Sequence, residues 1–192
     1  MRIIAGTYRS RALEAPAGMS TRPTSDRLRE TLFNVLAPRI QKCAFLDLYA
    51  GSGAVGIEAI SRGAAHVTFV ERAPAALKVL RGNLARLGIN SGFSIHPGSV
   101  RAFLLASLKT TPRPEPQEAV FLDPPYDAAQ EYAATLELLG MEHAGFLAPD
   151  AIVTAEHRRK PPLNEMYGHL KRTRQLEQGD AALSFFTVEA VG

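Results

Sequence analysis

The 192 residues, 46% of them hydrophobic, suffice for one sizeable core and are too few for two full domains. A single cysteine, Cys43, excludes an internal disulfide and any multi-cysteine metal site, and fits a reducing cytoplasmic setting. The formal charge of +3 is small but uneven: residues 1–42 hold 8 Lys and Arg against 3 Asp and Glu, and residues 157–174 hold 6 against 1, around a middle, 43–156, with 8 against 12. Basic flanks around an acidic centre suit a protein that grips a polyanion while its middle holds another ligand. The start of the sequence lacks the apolar region of a signal peptide and no run reaches membrane-spanning length, so a soluble, cytoplasmic protein without a membrane partner is expected.

The segment from Ile3 to Leu13 reads as two short strands around a turn, a hairpin. After a loop with Pro and Gly, Thr24 or Ser25 is placed to cap a helix whose Leu28, Leu32 and Leu36 fall on one face, and Pro38 closes it. Arg22, Arg27 and Arg29 lie in or near its first turn, where the helix dipole disfavours cations and a bound phosphate would relieve the repulsion. From residue 44 the chain alternates. Strands are expected over 44–49, 66–71, 93–96, 119–123 and 151–156, with helices over 54–62, 74–87, 100–108 and 128–139 between them. Strands apolar on both faces that alternate with helices imply an α/β fold, a doubly wound and mostly parallel sheet. Residues 167–174 and 182–188 read as a strand pair that extends this sheet as an antiparallel ribbon, giving seven strands.

In such a sheet the ligand lies beyond the carboxyl ends of the strands. Asp47 stands near the end of the first strand, and Gly51, Gly53 and Gly56 spell the glycine turn of a dinucleotide site. A pyrophosphate ~4 Å from the Asp47 carboxylate would be repelled by about 4 kcal/mol in a partly shielded site. S-adenosylmethionine carries an ammonium and a sulfonium instead of phosphates, so an acid there attracts it. Glu71 ends the second strand, where an acid accepts hydrogen bonds from a ribose diol.

At the end of the fourth strand stands Asp123-Pro-Pro-Tyr126. The prolines fix the backbone and remove two amide donors, so the Asp123 carboxylate and a held carbonyl, that of Asp123 or Pro124, are available to accept the hydrogens of an exocyclic amine. That arrangement orients a poor nucleophile for in-line attack on a methyl group, with Tyr126 set to stack on an unstacked base.

These motifs, with Met1-Arg-Ile-Ile-Ala-Gly6, Arg9 to Arg11, Arg22-Pro-Thr-Ser-Asp-Arg27, Arg29 to Asn34 and Ser61-Arg-Gly-Ala64, resemble the RsmD-like family of class I methyltransferases, which methylate the N2 amine of a guanine in bacterial small-subunit (16S) ribosomal RNA. The resemblance spans nearly the whole chain. It implies an RNA-binding extension over 1–40 and an S-adenosylmethionine-dependent methyltransferase domain over 41–192, acting as a monomer on 16S rRNA within a partly or fully assembled small subunit. It also implies that Asp47, Tyr49, Ala50, Gly51, Gly53, Glu71 and Arg72 hold the cofactor, that Asp123, Pro124, Pro125 and Tyr126 hold the target base, and that Arg9, Arg11, Arg22, Thr24, Arg27 and Arg29 hold RNA. Where such enzymes often set Asp or Asn against the cofactor adenine, this chain offers Ser99. No histidine pairing suggests a metal. Asp123 to Tyr126 would also hold the N6 amine of adenine, and a non-catalytic RNA-binding assembly factor is the alternative of another class.

Overall fold

The computed structural model describes residues 1–15, 26–110, 115–125, 129–141 and 146–189. Helix α1 (Asp26–Leu36) forms on the predicted spacing: Leu28, Leu32 and Leu36, with Phe33, are buried on one face. The positions expected to cap it lie outside the described residues, as do Arg22 and Tyr126. Alternation then follows as β1 (Ala44–Leu48), α2 (Ala54–Ser61), β2 (His66–Glu71), α3 (Pro74–Leu87), β3 (Phe93–Pro97), α4 (Val100–Lys109), β4 (Gln117–Leu122), α5 (Ala129–Gly140) and β5 (Leu147–Arg158). Three shorter-range strands finish the fold: β6 (Met166–Tyr167), β7 (Leu170–Gln178) and β8 (Ala181–Val188).

The strands make one sheet in the order β3-β2-β1-β4-β5-β8-β7-β6, parallel from β1 to β5 and antiparallel from β5 through β8 and β7 to β6. The α/β class is as expected, but among the described residues the sheet has eight strands rather than seven. Residues 167–174 do not run as one strand, because Gly168, with φ +58°, turns the chain back so that Tyr167 pairs with Leu170. A side chain there would meet the Gly140 carbonyl at 2.3 Å, so the turn sits directly on the end of α5. Between Arg172 and Arg174 the β7–β8 register shifts at a bulge.

Two apolar layers cover the sheet. Phe45, Phe69 and Phe121 pack with α1, α2 and α3 on one face, while Leu46, Leu48, Val70, Val120 and Leu122 pack with α4 and α5 on the other. Strand order reverses between β1 and β4, and the crevice at that crossover is where a doubly wound sheet binds its ligand.

The expected N-terminal hairpin forms in outline: the Ile3, Ser10 and Leu13 amides donate across it to the carbonyls of Arg11, Ile3 and Met1 at 3.0, 2.8 and 3.0 Å, around the antiparallel bridge of Arg2 with Ala12. The ladder stops because the amides of Ile4 and Ala5 donate to the two carboxylate oxygens of Glu58 in α2, at 2.8 and 3.0 Å, instead of to the other arm. Ser61, at the end of α2, holds the turn itself: its carbonyl accepts from the Thr7 amide at 2.8 Å and its hydroxyl oxygen from the Tyr8 amide at 3.0 Å. Gly6, at φ +82°, fits because a Cβ would lie 1.8 Å from the Ser61 carbonyl oxygen.

Candidate active site

Four carboxylates gather where the parallel strands end. Asp47 lies in β1, Glu71 closes β2, Asp123 stands one residue past β4, and Glu156 lies near the end of β5. Asp47 is in register between Phe69 and Phe121 and only 1% exposed. Burial between two phenylalanines, with Glu71 nearby, pushes its carboxyl up to about 7 even though it accepts a hydrogen bond from the Gly56 amide at 2.8 Å. The carboxylate therefore lies beneath the glycine turn instead of lining the cleft. Its effect on the ligand class survives in a different form. Gly56 belongs to the first turn of α2, whose amides would serve a phosphate, and Asp47 already takes that donor. Glu71 does the same on the other side: its oxygens accept from the Gly51 amide at 2.8 Å and the Ala73 amide at 2.7 Å. The Gly56 and Gly51 amides of the turn, which an anion would need, are thus given to internal acids, while the Glu71 oxygens each keep a lone pair for a hydroxyl.

Gly51 (φ +57°) and Gly53 (φ +78°) shape the turn, and a Cβ on Gly53 would strike the Leu80 side chain at 2.2 Å. Tyr49 also has positive φ, +62°, costly for a side chain of its size. Its hydroxyl reaches Glu131 and Thr135 of α5, both at 2.8 Å, and Glu131 stands 3.9 Å from Arg72. Ala50 donates to the Val70 carbonyl at 3.0 Å and closes the turn onto β2. Ser99 caps α4, its hydroxyl oxygen accepting from the Ala102 amide at 3.2 Å.

Asp123 is partly exposed, Pro124 buried and Pro125 exposed. The Pro124 carbonyl already accepts from the hydroxyl of Tyr132 in α5 at 3.2 Å, which takes one of its two lone pairs. Although part of the residue keeps surface at the cleft, the packing around its carboxyl, with the Glu156 and Asp47 carboxylates facing it, pushes Asp123 above the usual carboxylate range.

The arginines expected to grip RNA divide. Arg29 is a correction: it is fully buried, its guanidinium bonded to Asp26 at 2.9 Å and to the Arg2 carbonyl at 2.5 Å, and 3.7 Å from Glu58. It ties α1 to α2 and the N-terminal segment, so it has no surface to offer a phosphate. Arg9 and Arg11 are exposed but far from the crevice. The turn that carries Arg9 sits on Ser61, one length of α2, about 12 Å, below the glycine turn, and Arg11 donates to the Arg86 carbonyl at the end of α3. Arg27 is exposed in the first turn of α1, which the Met1 sulfur, 3.9 Å from both Arg29 and Ser52, keeps next to the glycine turn.

Sequence reasoning missed Glu58, Asn83, Tyr132 and Glu156. Asn83 is buried in α3 and its amide nitrogen donates to the carbonyls of Ser52 at 2.9 Å and Glu14 at 3.1 Å, fastening the N-terminal segment to the glycine turn. An acid or amide inside a helix carries no local sign of such partners; only the fold supplies them.

Comparison with known proteins fits this geometry. The model of the family described as Conserved hypothetical protein 95 matches residues 1–187. Ribosomal RNA small subunit methyltransferase D of Escherichia coli is 36% identical over 192 residues, covering 100% of this chain and 92% of that protein. The chain belongs to this RsmD/YlbH family of class I S-adenosylmethionine-dependent methyltransferases. The Escherichia coli structure of yhhF superposes with a TM-score of 0.82 at 36% identity, covering 100% of this chain and 99% of that one. SMU.776, solved with S-adenosylhomocysteine, shares the fold with a TM-score of 0.65 at 13% identity, covering 84% of this chain and 48% of that one. In this methyltransferase the acids suit such a ligand: Glu71 would hold the ribose hydroxyls, and Asp47, beneath the turn, would favour the positively charged methionine end. S-adenosylmethionine supplies an electrophilic methyl group on a sulfonium.

Proposed function

We propose that this methyltransferase modifies the exocyclic N2 amine of a guanine in 16S rRNA while the small ribosomal subunit matures. The observation that carries the reading is Asp123, an acceptor carboxylate one residue beyond β4, at the sheet crossover and next to the glycine turn of β1. The Escherichia coli relative, and one of Haemophilus influenzae that is 36% identical over 85% of this chain and 81% of its own length, are both small-subunit rRNA methyltransferases by name. The choice of guanine N2 follows the family resemblance of the sequence motifs.

Asp123 and the second lone pair of the Pro124 carbonyl accept the hydrogens of the amine and fix its lone pair toward the methyl group. Tyr132 steadies that carbonyl from α5. Tyr126 stacks on the base once it has left its helix. RNA phosphates lie along the exposed cations at the carboxyl end of the sheet, Arg27 of α1 and Arg158, Arg159 and Lys160 at and after the end of β5.

Methylation of small-subunit particles and of naked rRNA, with mass-spectrometric mapping of the product nucleoside, tests the reading. N2-methylguanosine in the particle is the expected result. N6-methyladenosine would overturn the guanine assignment, and cofactor binding without methylation of either substrate would favour the assembly-factor alternative. Asp123→Ala should lower turnover about a hundredfold or more while leaving cofactor affinity within about twofold.

A further inference from the structure

We propose that Tyr49 is a positioning residue: held by Glu131 and Thr135, it locks the glycine turn to α5, the helix that also steadies the Pro124 carbonyl, and so sets the methyl donor in line with the target amine. The inference rests on the amine-methylation reading above and assigns a role to a strained residue which that reading leaves unused.

The strain is the starting point. Along β1, Phe45 packs toward α1, α2 and α3, Asp47 reaches Gly56 of α2, and Leu46 and Leu48 pack toward α4 and α5. Alternation would therefore send residue 49 to the side of Asp47. Instead Tyr49 takes a φ of +62°, which a bulky side chain adopts only where its surroundings hold it, and its ring packs against the α4 and α5 layer. There its hydroxyl meets Glu131 and the buried Thr135, both at 2.8 Å. A phenol has one hydrogen; with that given to the Glu131 carboxylate, the Thr135 hydroxyl donates to the phenol oxygen.

Helix α5 joins the two halves of the site. One carboxylate oxygen of Glu131 takes Tyr49, and the other stands 3.9 Å from Arg72, the residue after Glu71. Tyr132, next in the chain, donates to the Pro124 carbonyl at 3.2 Å. The β1–β4 ladder runs in register as far as Leu48 with Leu122, and Tyr49 and Asp123 are the next residues on each strand. Past that rung, consecutive residues of α5 hold the turn proposed for the cofactor and a carbonyl proposed for the base.

The chemistry depends on that registration. The amine nitrogen bonds to the methyl carbon as the carbon–sulfur bond opposite it breaks, the electron pair staying on sulfur and the surplus proton leaving nitrogen for water. A misplacement of about 1 Å between the partners costs about a hundredfold in rate although each still binds. Loss of the Tyr49 hydroxyl should therefore appear in the chemical step and spare affinity.

The test is hydrogen exchange with and without S-adenosylhomocysteine, alongside single-turnover methylation of small-subunit particles. In the unsubstituted protein S-adenosylhomocysteine should slow exchange about fivefold or more at Ala133 to Leu136, whose amides bond back to the first turn of α5. Tyr49→Phe, which keeps the ring, should abolish that slowing, hold S-adenosylhomocysteine affinity within about threefold and lower the single-turnover rate about tenfold or more. Glu131→Ala should lower the rate similarly, and the double variant should lose about as much as either single one, because both cut the same contact. A folded Tyr49→Phe protein that still passes the slowing to α5, or that loses affinity while its single-turnover rate stays put, would overturn the proposal. Should that variant not fold, an α5 whose exchange S-adenosylhomocysteine leaves unmoved in the unsubstituted protein overturns it equally. The expected exchange pattern without methylation of any rRNA would instead count against the substrate reading alone.

Discussion

Asp47, proposed to favour the cofactor's positive end, carries a cost to stability. In the fold its carboxyl is raised to about 7 by burial, against about 4 in an unfolded chain. Between those two values the folded protein binds a proton that the unfolded chain does not, so stability falls as pH rises from about 4 to about 7 and then levels off. Asp47→Asn keeps an acceptor for the Gly56 amide and removes the buried charge. At about pH 8 it should therefore gain about 1 kcal/mol, or about 2–4 °C in Tm, and flatten the slope below pH 7, while cofactor affinity drops about tenfold. Thermal melts across pH together with calorimetry would check this; an Asn variant that melts no higher at pH 8 would refute it. That Asp47 stands next to the glycine turn is legible in the sequence, and the structure bonds it to the Gly56 amide. That it lies under the turn was not, because the burial comes from Phe69 and Phe121, which the sequence sets far away.

Among the elements, β2 and α3 have the bounds that periodicity predicts, since each is a strongly patterned run closed by turn residues on both sides. β5 runs longer, from Leu147 to Arg158, because pairing with β8 extends it through Arg158, beyond its apolar stretch. The N-terminal hairpin forms as its pattern predicts, but its docking on α2 through Glu58 and Ser61 is not legible, and Arg29 is buried rather than a surface cation because that same carboxylate is out of sight until α1 and α2 meet. Glu58 and Ser61 make this segment part of the enzyme's body. Gly6→Ala, whose added methyl would overlap the Ser61 carbonyl, should release the segment and cost about 2 kcal/mol or more, or about 4–8 °C in Tm. Hydrogen exchange would show faster exchange at Ile4, Ala5, Thr7 and Tyr8, and unchanged rates there would contradict the docking argument.

For the whole molecule, the proposed RNA path rests on charge and topology together. The sequence shows two basic flanks, and the fold sets Arg158, Arg159 and Lys160 at the carboxyl end of the sheet and Arg9 and Arg11 away from it. Replacing Arg158, Arg159 and Lys160 with alanine should weaken RNA binding and reduce the slope of log affinity against log salt by about 2. Replacing Arg9 and Arg11 should change it by less than half as much. Equal losses from both sets, measured by filter binding over a salt series, would mean that the RNA wraps the body of the protein instead of resting on one rim.

The short β6 and the bulge in β7 bear on how the protein behaves in a crowded cell. Strand β6 pairs with Leu170 and Lys171, and the Arg172 amide donates to the Glu165 carbonyl at 2.7 Å, so among the described residues β7 beyond Arg172 is an open border. Arg174 and Glu177 stand exposed along it, and the shift between Arg172 and Arg174 bends its hydrogen-bonding groups out of line. A border that is charged and kinked is a poor template for another strand, so β7 is guarded against edge-to-edge aggregation without a covering helix.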